Sequence, residues 1–521
     1  VAGAARPACA VGGLRQARVG HSVAGAARRV RPRVGSRQVL VAPLAMLLLC
    51  VIPAGAAEYE RLPAVLHVHS DLSTGDVPLE QLAAMAERAG IGALLLSENY
   101  LLRVEYGLPP FRALTRVGRE ERSVLAGGVT RFLERVALAR ARNPRVLILP
   151  GVEVLPHYHW TGSPLALDMT VHNTQKNLLV FGITDPAALR SLPSSGNAAA
   201  GRFTWAAAVD LLPGLLLIPG AVALATRRRA LHRVGRAVVV VRRRRWLAGG
   251  VLCLLGAAAL VRAWPFTTDP YSPYEDLGLA PHQDLIDHVD RLGGATVWSL
   301  PEARDSGEQW LGPVRVAWRT EPYPDDLLRT ARYTAFGAVY EDTTRVELPG
   351  GGWDRLLAQY AAGQRSRPAW AVGESGFHGF TAGKSVGPLQ TVFLVSERSE
   401  RGVLEALKRG RMYALQRVAE TGLALAEFAV SEGAAAALSG ETLRVREGTP
   451  IEVRVGLAAL DGSARAVRVT LVRNGAVAGV WAGSTPFRQV HREVFDGGPA
   501  YYRLDVRGPG RLLSNPIFVS Q

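Results

Sequence analysis

The stretch VLHVHSDLSTGD, Val65–Asp76, places two histidines one residue apart at the end of a short apolar run. In a β-strand, residues i and i+2 point to the same face, so His67 and His69 present two imidazoles side by side. Leu66 and Val68 point the other way and pack behind them. Paired imidazoles suit a divalent metal ion, although such pairs also occur in ordinary strands. Whether this pair binds metal therefore depends on what the rest of the chain contributes.

The positive charge of the chain is confined to two arginine-rich blocks. The 521 residues carry a formal net charge of +16. Residues 1–57 contain eight arginines and no acid, and Thr226–Arg245 contains nine arginines and no acid. The other 44 basic and 45 acidic residues nearly balance, so the bulk of the protein is not a polyanion-binding surface. We therefore expect no nucleic-acid partner.

Both blocks adjoin apolar segments. Val39–Ala57 follows the arginine-rich start and ends in small residues, which is typical of a secretory signal or an uncleaved anchor. Thr204–Ala225 and Trp246–Trp264 are each close to the roughly 20 residues that cross a bilayer. Two buried helices of a soluble protein are the alternative. The arginines between the two segments favour a membrane hairpin with a cytoplasmic loop, by the positive-inside rule.

This topology places the rest of the chain on the extracytoplasmic side of a membrane. The three cysteines, Cys9, Cys50 and Cys253, all fall in the leader or the apolar segments. The exported parts therefore contain no thiol and cannot form disulfides.

Strand and helix signals alternate on both sides of the predicted hairpin. From Ala64 to Ser97 the pattern is a strand, a turn, the amphipathic helix VPLEQLAAMAERAG and a second strand, IGALLLS. Further cycles lead into RVLILPGVEV and, after the hairpin, into AWAVGESGFHGF. Such alternation predicts parallel strands in an α/β barrel or a doubly wound sheet, with chemistry at the C-terminal strand ends. After Arg411, short alternating runs and an Asn-Gly turn predict a small antiparallel β-sandwich.

Polar residues stand just past several predicted strands: His67, His69, Glu98, Asn99, Glu153, His157, His159, Glu374 and His378. In the motifs His-x-His, PGVEV, GG before a strand and Pro301, Gly-x-Ser-x-x-His and RGRMYA, the chain resembles the polymerase-and-histidinol-phosphatase (PHP) superfamily of metal-dependent hydrolases. The resemblance covers about Ala64–Ala200 and Asp276–Ala414. It implies a distorted (β/α)7 barrel with a cluster of up to three metal ions at the C-terminal strand ends. The tail resembles the β-sandwich appended in a bacterial branch of that superfamily.

Carried over residue by residue, the resemblance implies metal ligands at His67, His69, Glu153 and His378. Four other ligand positions depart from the superfamily pattern. Ser97-Glu98-Asn99 stands where the superfamily has Thr-Asp-His, and Ser299-Leu300-Pro301 stands where it has Ala-His-Pro. Gly376 replaces an aspartate, and Asn177 stands near the position of a further histidine.

This reduced ligand set predicts one divalent metal ion instead of three. A catalytic zinc works with three protein ligands and one open position, and a site of histidines and a carboxylate suits zinc, manganese or iron. One ion can polarise a phosphoryl or carbonyl oxygen. It cannot clamp both the attacking and the leaving oxygen as a metal pair does.

Three further residues are candidates for completing the site. Glu98 either ligates in place of the lost histidine or is an exposed strand-end glutamate. His157 and His159 again stand at i and i+2, and they either replace missing ligands or decorate a loop rich in Pro, Trp and Tyr. Asp71 and Asp76 are expected to be turn and cap residues.

Two functions remain open at this point. The first is a membrane-anchored, exported metal-dependent hydrolase of a small phosphoester, ester or amide. The second is a catalytically inactive PHP-like barrel that binds or scaffolds a component of the cell envelope. The expected organisation is a basic leader with a signal peptide or anchor at 1–57, a PHP-like barrel at 58–203 and 265–418, a transmembrane hairpin at 204–264 and a β-sandwich at 419–521.

Overall fold

The His-x-His motif ends the first strand of a mixed α/β fold. The computed structural model describes residues 59–521 except 109–110, 202, 204, 265, 342–343 and 419–420. The predicted leader, 1–57, lies outside the described residues. The described residues belong to one compact unit.

Strands and helices alternate in the part before the predicted hairpin. The strands are β1 Glu60–Val68, β2 Ala93–Leu96, β3 Glu98–Asn99, β4 Arg103–Tyr106, β5 Val117–Glu120, β6 Leu147–Leu149, β7 Gly151–Val154, β8 His159–Ser163, β9 Asp168–His172 and β10 Leu178–Phe181. The helices are α1 Leu79–Arg88, α2 Arg112–Thr115, α3 Val124–Gly127, α4 Val129–Arg142 and α5 Pro186–Arg190.

The hairpin region and the part after it continue this alternation. The hairpin region contains α6 Trp205–Asp210, α7 Leu217–Ala225, β11 Arg227–Val234, β12 Ala237–Arg244 and α8 Trp246–Ala263. The next part contains α9 Ala280–Arg291, β13 Ala295–Trp298, β14 Asp305–Leu311, β15 Val314–Thr320, α10 Asp326–Arg329, β16 Ala335–Val339, α11 Gly352–Ala361, β17 Trp370–Gly373, β18 Leu389–Val395, α12 Glu400–Arg409 and β19 Met412–Gln416.

Among the described residues, the elements that follow β19 are all strands. They are β20 Leu423–Glu432, β21 Ala435–Leu438, β22 Thr442–Arg444, β23 Pro450–Ala459, β24 Ala466–Arg473, β25 Ala476–Ser484, β26 Phe487–Val494, β27 Ala500–Gly508, β28 Gly510–Ser514 and β29 Ile517–Ser520. Short 3-10 helices cover Pro164–Ala166, Leu212–Leu216 and Phe380–Ala382.

Helix α1 shows why the local sequence folds as it does. Its apolar positions recur at helical spacing, and Leu79, Leu82, Ala83 and Ala86 are buried. The carboxylate of Asp71 accepts a hydrogen bond from the backbone N–H of Leu79 at 3.2 Å, which satisfies a free donor of the first turn. The helix therefore covers β1 and β2 with one face while the loop that carries the histidines is tied to its start.

Two sheets carry the predicted barrel region. In the first, β1 pairs parallel with β2 and β2 parallel with β6, whereas β18 runs antiparallel to β1. The second has the order β17-β16-β13-β10-β7-β3. The chain passes between the sheets at Ser97, between β2 and β3, and at Pro150, between β6 and β7. Side chains from both sheets belong to one buried apolar cluster, so a single core lies beneath the strand ends.

The expectation of parallel strands throughout is wrong at β10. This strand runs antiparallel to both of its neighbours, β7 and β13. The connection from β7 to β10, residues 155–177, contains the β8–β9 hairpin and no α-helical crossover of the kind that usually joins parallel strands. No closed ring of paired strands is found among the described residues, so the predicted barrel is not established by the strand pairing.

Two helices of the hairpin region are long and apolar enough to cross a membrane, Ala208–Ala225 and Trp246–Ala263. They contact each other closely through glycines. A Cβ on Gly220 would lie 2.6 Å from the sulfur of Cys253, and one on Gly249 would lie 2.9 Å from the carbonyl oxygen of Gly220. Small residues are what such a close helix–helix approach requires. The arginine-rich connection forms the antiparallel pair β11–β12.

The C-terminal strands surround a second apolar cluster. One sheet there has the order β21-β20-β23-β26. The other is continuous with the first sheet of the barrel region, because β28 pairs with β19. The pairings are antiparallel as expected, except that β22 and β29 run parallel.

Buried polar contacts join the C-terminal strands to the part that precedes them. Arg503 on β27 donates to both carboxylate oxygens of Asp354 on α11, at 2.7 and 2.5 Å. Arg511 on β28 donates to Glu347 at 2.6 Å. The side chain of Asn515 accepts from the backbone N–H of Ala371 at 2.8 Å.

Candidate metal centre

Backbone hydrogen bonds bring the His-x-His motif against the segment that follows β17. The N–H of Ser375 donates to the carbonyl of Leu66, and the N–H of Phe377 donates to the carbonyl of His67, each at 3.0 Å. The N–H of His69 returns a bond of 2.8 Å to the carbonyl of Phe377. The end of β1 is thereby paired with the strand-like segment that leads to His378. This pairing places the third histidine beside the first two.

His67 adopts a backbone conformation that a histidine seldom takes. Its φ is +67°, in the left-handed region, and the β1–β2 register shifts between Leu66 and Val68. Such a conformation costs of the order of 1 kcal/mol and persists where the surroundings enforce it, commonly at functional sites. The shift does not separate the imidazoles, because the Nε2 atoms of His67 and His69 lie 3.1 Å apart.

The four residues predicted as ligands come together in the structure. One nitrogen each of His67, His69 and His378 lies within 4.8 Å of the others. Glu153, on β7, places one carboxylate oxygen 3.4 Å from Nε2 of His67 and the other 3.5 Å from Nε2 of His69. His67, His69 and Glu153 are buried. Three imidazoles grouped in this way, with the Glu153 carboxylate beside two of them, form a donor set suited to one divalent ion of the zinc, manganese or iron type.

Glu374 fixes the tautomer of His67. Its carboxylate lies 2.6 Å from Nδ1 of His67 and is fully buried. A carboxylate only accepts hydrogen bonds, so Nδ1 carries the proton and Nε2 presents its lone pair to the metal position. The hydroxyl of Ser299 and the N–H of Leu300 also donate to Glu374, at 2.6 and 3.0 Å. Sequence reasoning noted Glu374 as a strand-end residue but gave it no role, because its partner lies 307 residues away.

A second chain of hydrogen bonds fixes the tautomer of His378. The amide of Asn99 donates to Glu153 at 2.9 Å, which orients the Asn99 oxygen toward Thr74. The Thr74 hydroxyl donates to that oxygen at 2.7 Å. A hydroxyl has one hydrogen, and that of Thr74 is already donated to Asn99. In its contact of 3.0 Å with Nδ1 of His378, the imidazole is therefore the donor. Nε2 of His378 is therefore the nitrogen left with a free lone pair.

Asn99 and Asn177, at two of the positions that depart from the superfamily pattern, both serve Glu153. The amide of Asn177 donates to the second oxygen of Glu153 at 2.8 Å. The Oδ1 atom of Asn177 is buried without a hydrogen-bond partner in the described part of the chain. An unpartnered buried oxygen beside the ligand set is a further sign that the site is built to bind something.

Glu98 does not join the cluster. Its carboxylate accepts hydrogen bonds from the hydroxyls of Ser70 and Ser73, each at 2.5 Å, and from the N–H of Ser70 at 2.9 Å. It is fully buried, so the alternative of an exposed strand-end glutamate is wrong. Burial raises the pKa of Glu98 to about 7 against the lowering effect of these bonds. Because side chains alternate along a strand, the neighbouring Asn99 is the residue that reaches the ligands.

His157 and His159 lie in a different group. His157 contacts the hydroxyl of Ser195 and the carbonyl of Glu275 with its two nitrogens, at 3.3 and 3.0 Å. His159 stacks on His172 with ring centroids 4.7 Å apart. Neither belongs to the group of His67, His69 and His378, so the structure does not bring them to this site.

The electrostatics of the cluster follow from burial and two carboxylates. Burial lowers the pKa of His67, but Glu153 and Glu374 outweigh it and raise this pKa to about 9. Burial lowers the pKa of His69 well below its ordinary value and that of His378 to about 4. His67 lowers the pKa of Glu153, against the effect of burial. Two of the three imidazoles are thus neutral, which is the form that binds a metal ion.

Asp76 fixes the segment that follows His378. Its carboxylate accepts bonds from the N–H groups of Phe380 and Thr381, at 3.1 and 2.8 Å, and from the Thr381 hydroxyl at 2.6 Å. Its own N–H donates to the carbonyl of His378 at 3.1 Å. Asp76 therefore acts as a turn residue, as the sequence suggested, and connects the two histidine-bearing loops.

Comparisons with known proteins find solved structures of low similarity. No protein-family profile matches the sequence, and no curated protein matches it either. A two-domain protein from Bacteroides vulgatus that contains a predicted PHP-like metal-dependent phosphoesterase matches 90% of this chain and 97% of its own, at 12% identity and a TM-score of 0.34. A proposed metal-dependent phosphoesterase from Bifidobacterium adolescentis matches 67% and 97%, at 14% identity and a TM-score of 0.29. Both TM-scores are low, so we base the function on the geometry of the site.

Proposed function

We propose that the protein is a membrane-anchored, exported metal-dependent hydrolase with a PHP-like barrel, a C-terminal β-sandwich and a site for one divalent ion. The observation that carries this proposal is the convergence of His67, His69, His378 and Glu153, from three separate segments, with Nδ1 of His67 and Nδ1 of His378 each held by a hydrogen bond, so that Nε2 is the nitrogen left to face an ion. An ion held there supplies Lewis-acid polarisation of a phosphoryl or carbonyl oxygen. The substrate class we propose is a small phosphoester, with another ester or an amide as the next choice.

The residues of the chain contribute orientation and charge. Glu374 and Thr74 hold two imidazoles with Nε2 toward the ion, and Asn99 and Asn177 orient the carboxylate of Glu153. The carboxylate on Glu153 offsets part of the charge of the ion. With one metal position, a cationic side chain can supply a further positive charge toward a bound phosphoryl group.

Membrane anchoring is supported by the exposure of the hairpin helices. Only 11% and 17% of the two apolar windows are buried, whereas a core helix of a soluble protein is mostly buried. Exposed tryptophans stand at both ends, Trp205 and Trp264 toward the barrel region and Trp246 beside the arginine-rich strands. Such a distribution is typical of residues at the two membrane interfaces. The arginines favour a cytoplasmic β11–β12 hairpin, with the domains on the opposite side.

The alternative is a catalytically inactive module that binds a component of the cell envelope. It is favoured by Asn99 and Asn177, whose amides occupy both oxygens of Glu153, and by the commitment of Glu98 to two serine hydroxyls. These hydrogen bonds hold both carboxylates in place without any ion, which a binding module needs as much as an enzyme does.

Metal content and hydrolysis distinguish the two functions. The full chain, purified in detergent without chelator and supplied with zinc, manganese or iron, should hold about one ion. The double variant His67→Ala, His69→Ala should hold none and remain folded, since the buried apolar residues of β1, Leu66 and Val68 among them, are unchanged. Hydrolysis of p-nitrophenyl phosphate, bis-p-nitrophenyl phosphate or p-nitrophenyl acetate that the double variant loses would support the hydrolase. A metal-bound protein that cleaves none of them would favour the binding module, and a parent without metal would contradict the proposed site.

Reporter fusions test the membrane topology separately. Fusions near Gly196 and at Gln521 should report an external position, and one near Gly235 a cytoplasmic position. An external Gly235 fusion would contradict the topology.

A further inference from the structure

A lysine lies beside the histidine cluster in a chain that almost never uses lysine. The sequence contains 61 basic residues, of which only Lys176, Lys384 and Lys408 are lysines. The ammonium of Lys384 lies 3.3 Å from the carbonyl of Ser375. A Cβ on Gly376 would be 3.2 Å from it. It therefore sits over the turn Ser375–His378, between Glu374 and the third histidine.

The segment that carries Lys384 is held in place. Asp76 binds the backbone of Phe380 and Thr381, as described above. A Cβ on Gly379 would collide with the Asp76 carboxylate, so the two loops are in direct contact. The backbone that leads to Lys384 is thus held by the contacts that also hold the loop of His378, and its ammonium is positioned by the Ser375 carbonyl and Glu341. A positioned ammonium loses less freedom on binding a ligand than a mobile one.

Among the described residues, Lys384 pairs with a carboxylate at the protein surface. The carboxylate that it contacts, Glu341 at 3.1 Å, is 56% exposed and therefore offsets the charge of Lys384 only weakly. A divalent ion at the histidines would add a second positive charge nearby. Two cations at such a place repel each other unless an anion lies between them.

We propose that Lys384 is an anion-binding residue, which together with the ion at His67, His69 and His378 holds the phosphoryl group of the substrate. The chemical class of ligand is a phosphate monoester or diester. Lysine binds phosphate as a point charge with three donors, and it would supply the second positive centre that a one-metal site lacks. This inference rests on the proposed hydrolase site and names a residue for its substrate.

The test measures the binding of inorganic phosphate to the zinc-loaded full chain by calorimetry, with the metal content of each variant measured in parallel. Lys384→Ala should weaken phosphate binding about tenfold or more, as expected for the loss of a charged hydrogen bond. Lys384→Arg should stay within about threefold of the parent, because the charge is kept. Lys408→Ala is the matched control and should leave phosphate binding unchanged. Lys408 lies near the end of α12 and donates to the carbonyl of Gly293.

Glu341→Gln separates anion binding from a structural ion pair. If the Lys384–Glu341 pair only stabilised the loop, Lys384→Ala and Glu341→Gln should lose phosphate binding equally. If Lys384 binds the anion, Glu341→Gln should keep or strengthen phosphate binding, since a competing carboxylate is removed.

The outcomes also separate this proposal from the proposed function. A parent that holds zinc but does not bind phosphate, or a Lys384→Ala variant that binds it as the parent does, would overturn the assignment of Lys384 and leave the metal site intact. A parent that binds phosphate through Lys384 but holds no metal would support the anion site and overturn the hydrolase.

Discussion

Replacing Glu374 by glutamine should weaken metal binding through the imidazole that Glu374 orients. The wild-type carboxylate accepts three hydrogen bonds: from Nδ1 of His67 at 2.6 Å, from the Ser299 hydroxyl at 2.6 Å and from the N–H of Leu300 at 3.0 Å. Glutamine has one oxygen and therefore cannot accept on both sides. With its oxygen toward His67, its amide N–H groups face the donor of Leu300. With its nitrogen toward His67, Nδ1 must accept, and the proton moves to Nε2, which then cannot bind metal.

The expected loss of metal affinity is about 10- to 100-fold, the usual effect of removing a carboxylate behind a metal-bound histidine, or about 1.4–2.7 kcal/mol. Competition with a chromogenic chelator measures it, and metal-free thermal unfolding shows whether the variant is folded. Glu341→Gln is the matched control, because Glu341 contacts Lys384 and is half-exposed. A folded Glu374→Gln variant with metal affinity within about twofold of the parent would refute the orienting role of Glu374.

Two further predictions concern stability. Because burial raises the pKa of Glu98 from its ordinary 4.5 to about 7, the folded state holds this proton more tightly than the unfolded chain. Its contribution to the unfolding free energy is therefore greatest below about pH 4.5 and falls by about 3 kcal/mol up to about pH 7; denaturant titrations should show that Glu98→Gln lacks this fall, and a parallel pH profile would contradict it. Asp354→Ala leaves the fully buried guanidinium of Arg503 unpaired and should cost about 3–5 kcal/mol by the same measurement, whereas the exposed Glu308→Ala should cost less than about 1 kcal/mol. Equal losses in these two variants would argue against a buried ion pair.

The sequence by itself determined the local elements and the positions where chemistry is concentrated. Periods of two and 3.6 residues predict β1, α1 and β2, because burial of one face requires them. The nine arginines of Thr226–Arg245, between two apolar segments, predict a hairpin from composition alone. His-x-His at the end of β1 and Glu153 at the end of β7 stand out because ligand-type residues follow apolar runs. Each of these signals lies within one continuous stretch of the chain.

Only the tertiary structure decided which of these residues meet. Glu374 reaches His67 across 307 residues, and the tautomer of His378 depends on a chain of hydrogen bonds through Thr74, Asn99 and Glu153. The antiparallel direction of β10 against β7 and β13 is a pairing between separate segments, which the residues of the strand itself do not specify. Glu98 and Asn99 are both polar residues at the end of a strand in the sequence. Because their side chains point to opposite faces, Glu98 contacts the two serines and Asn99 contacts Glu153. Hydrogen bonds have direction and short range, so their partners are set by the packing of distant segments and not by the local pattern of residues.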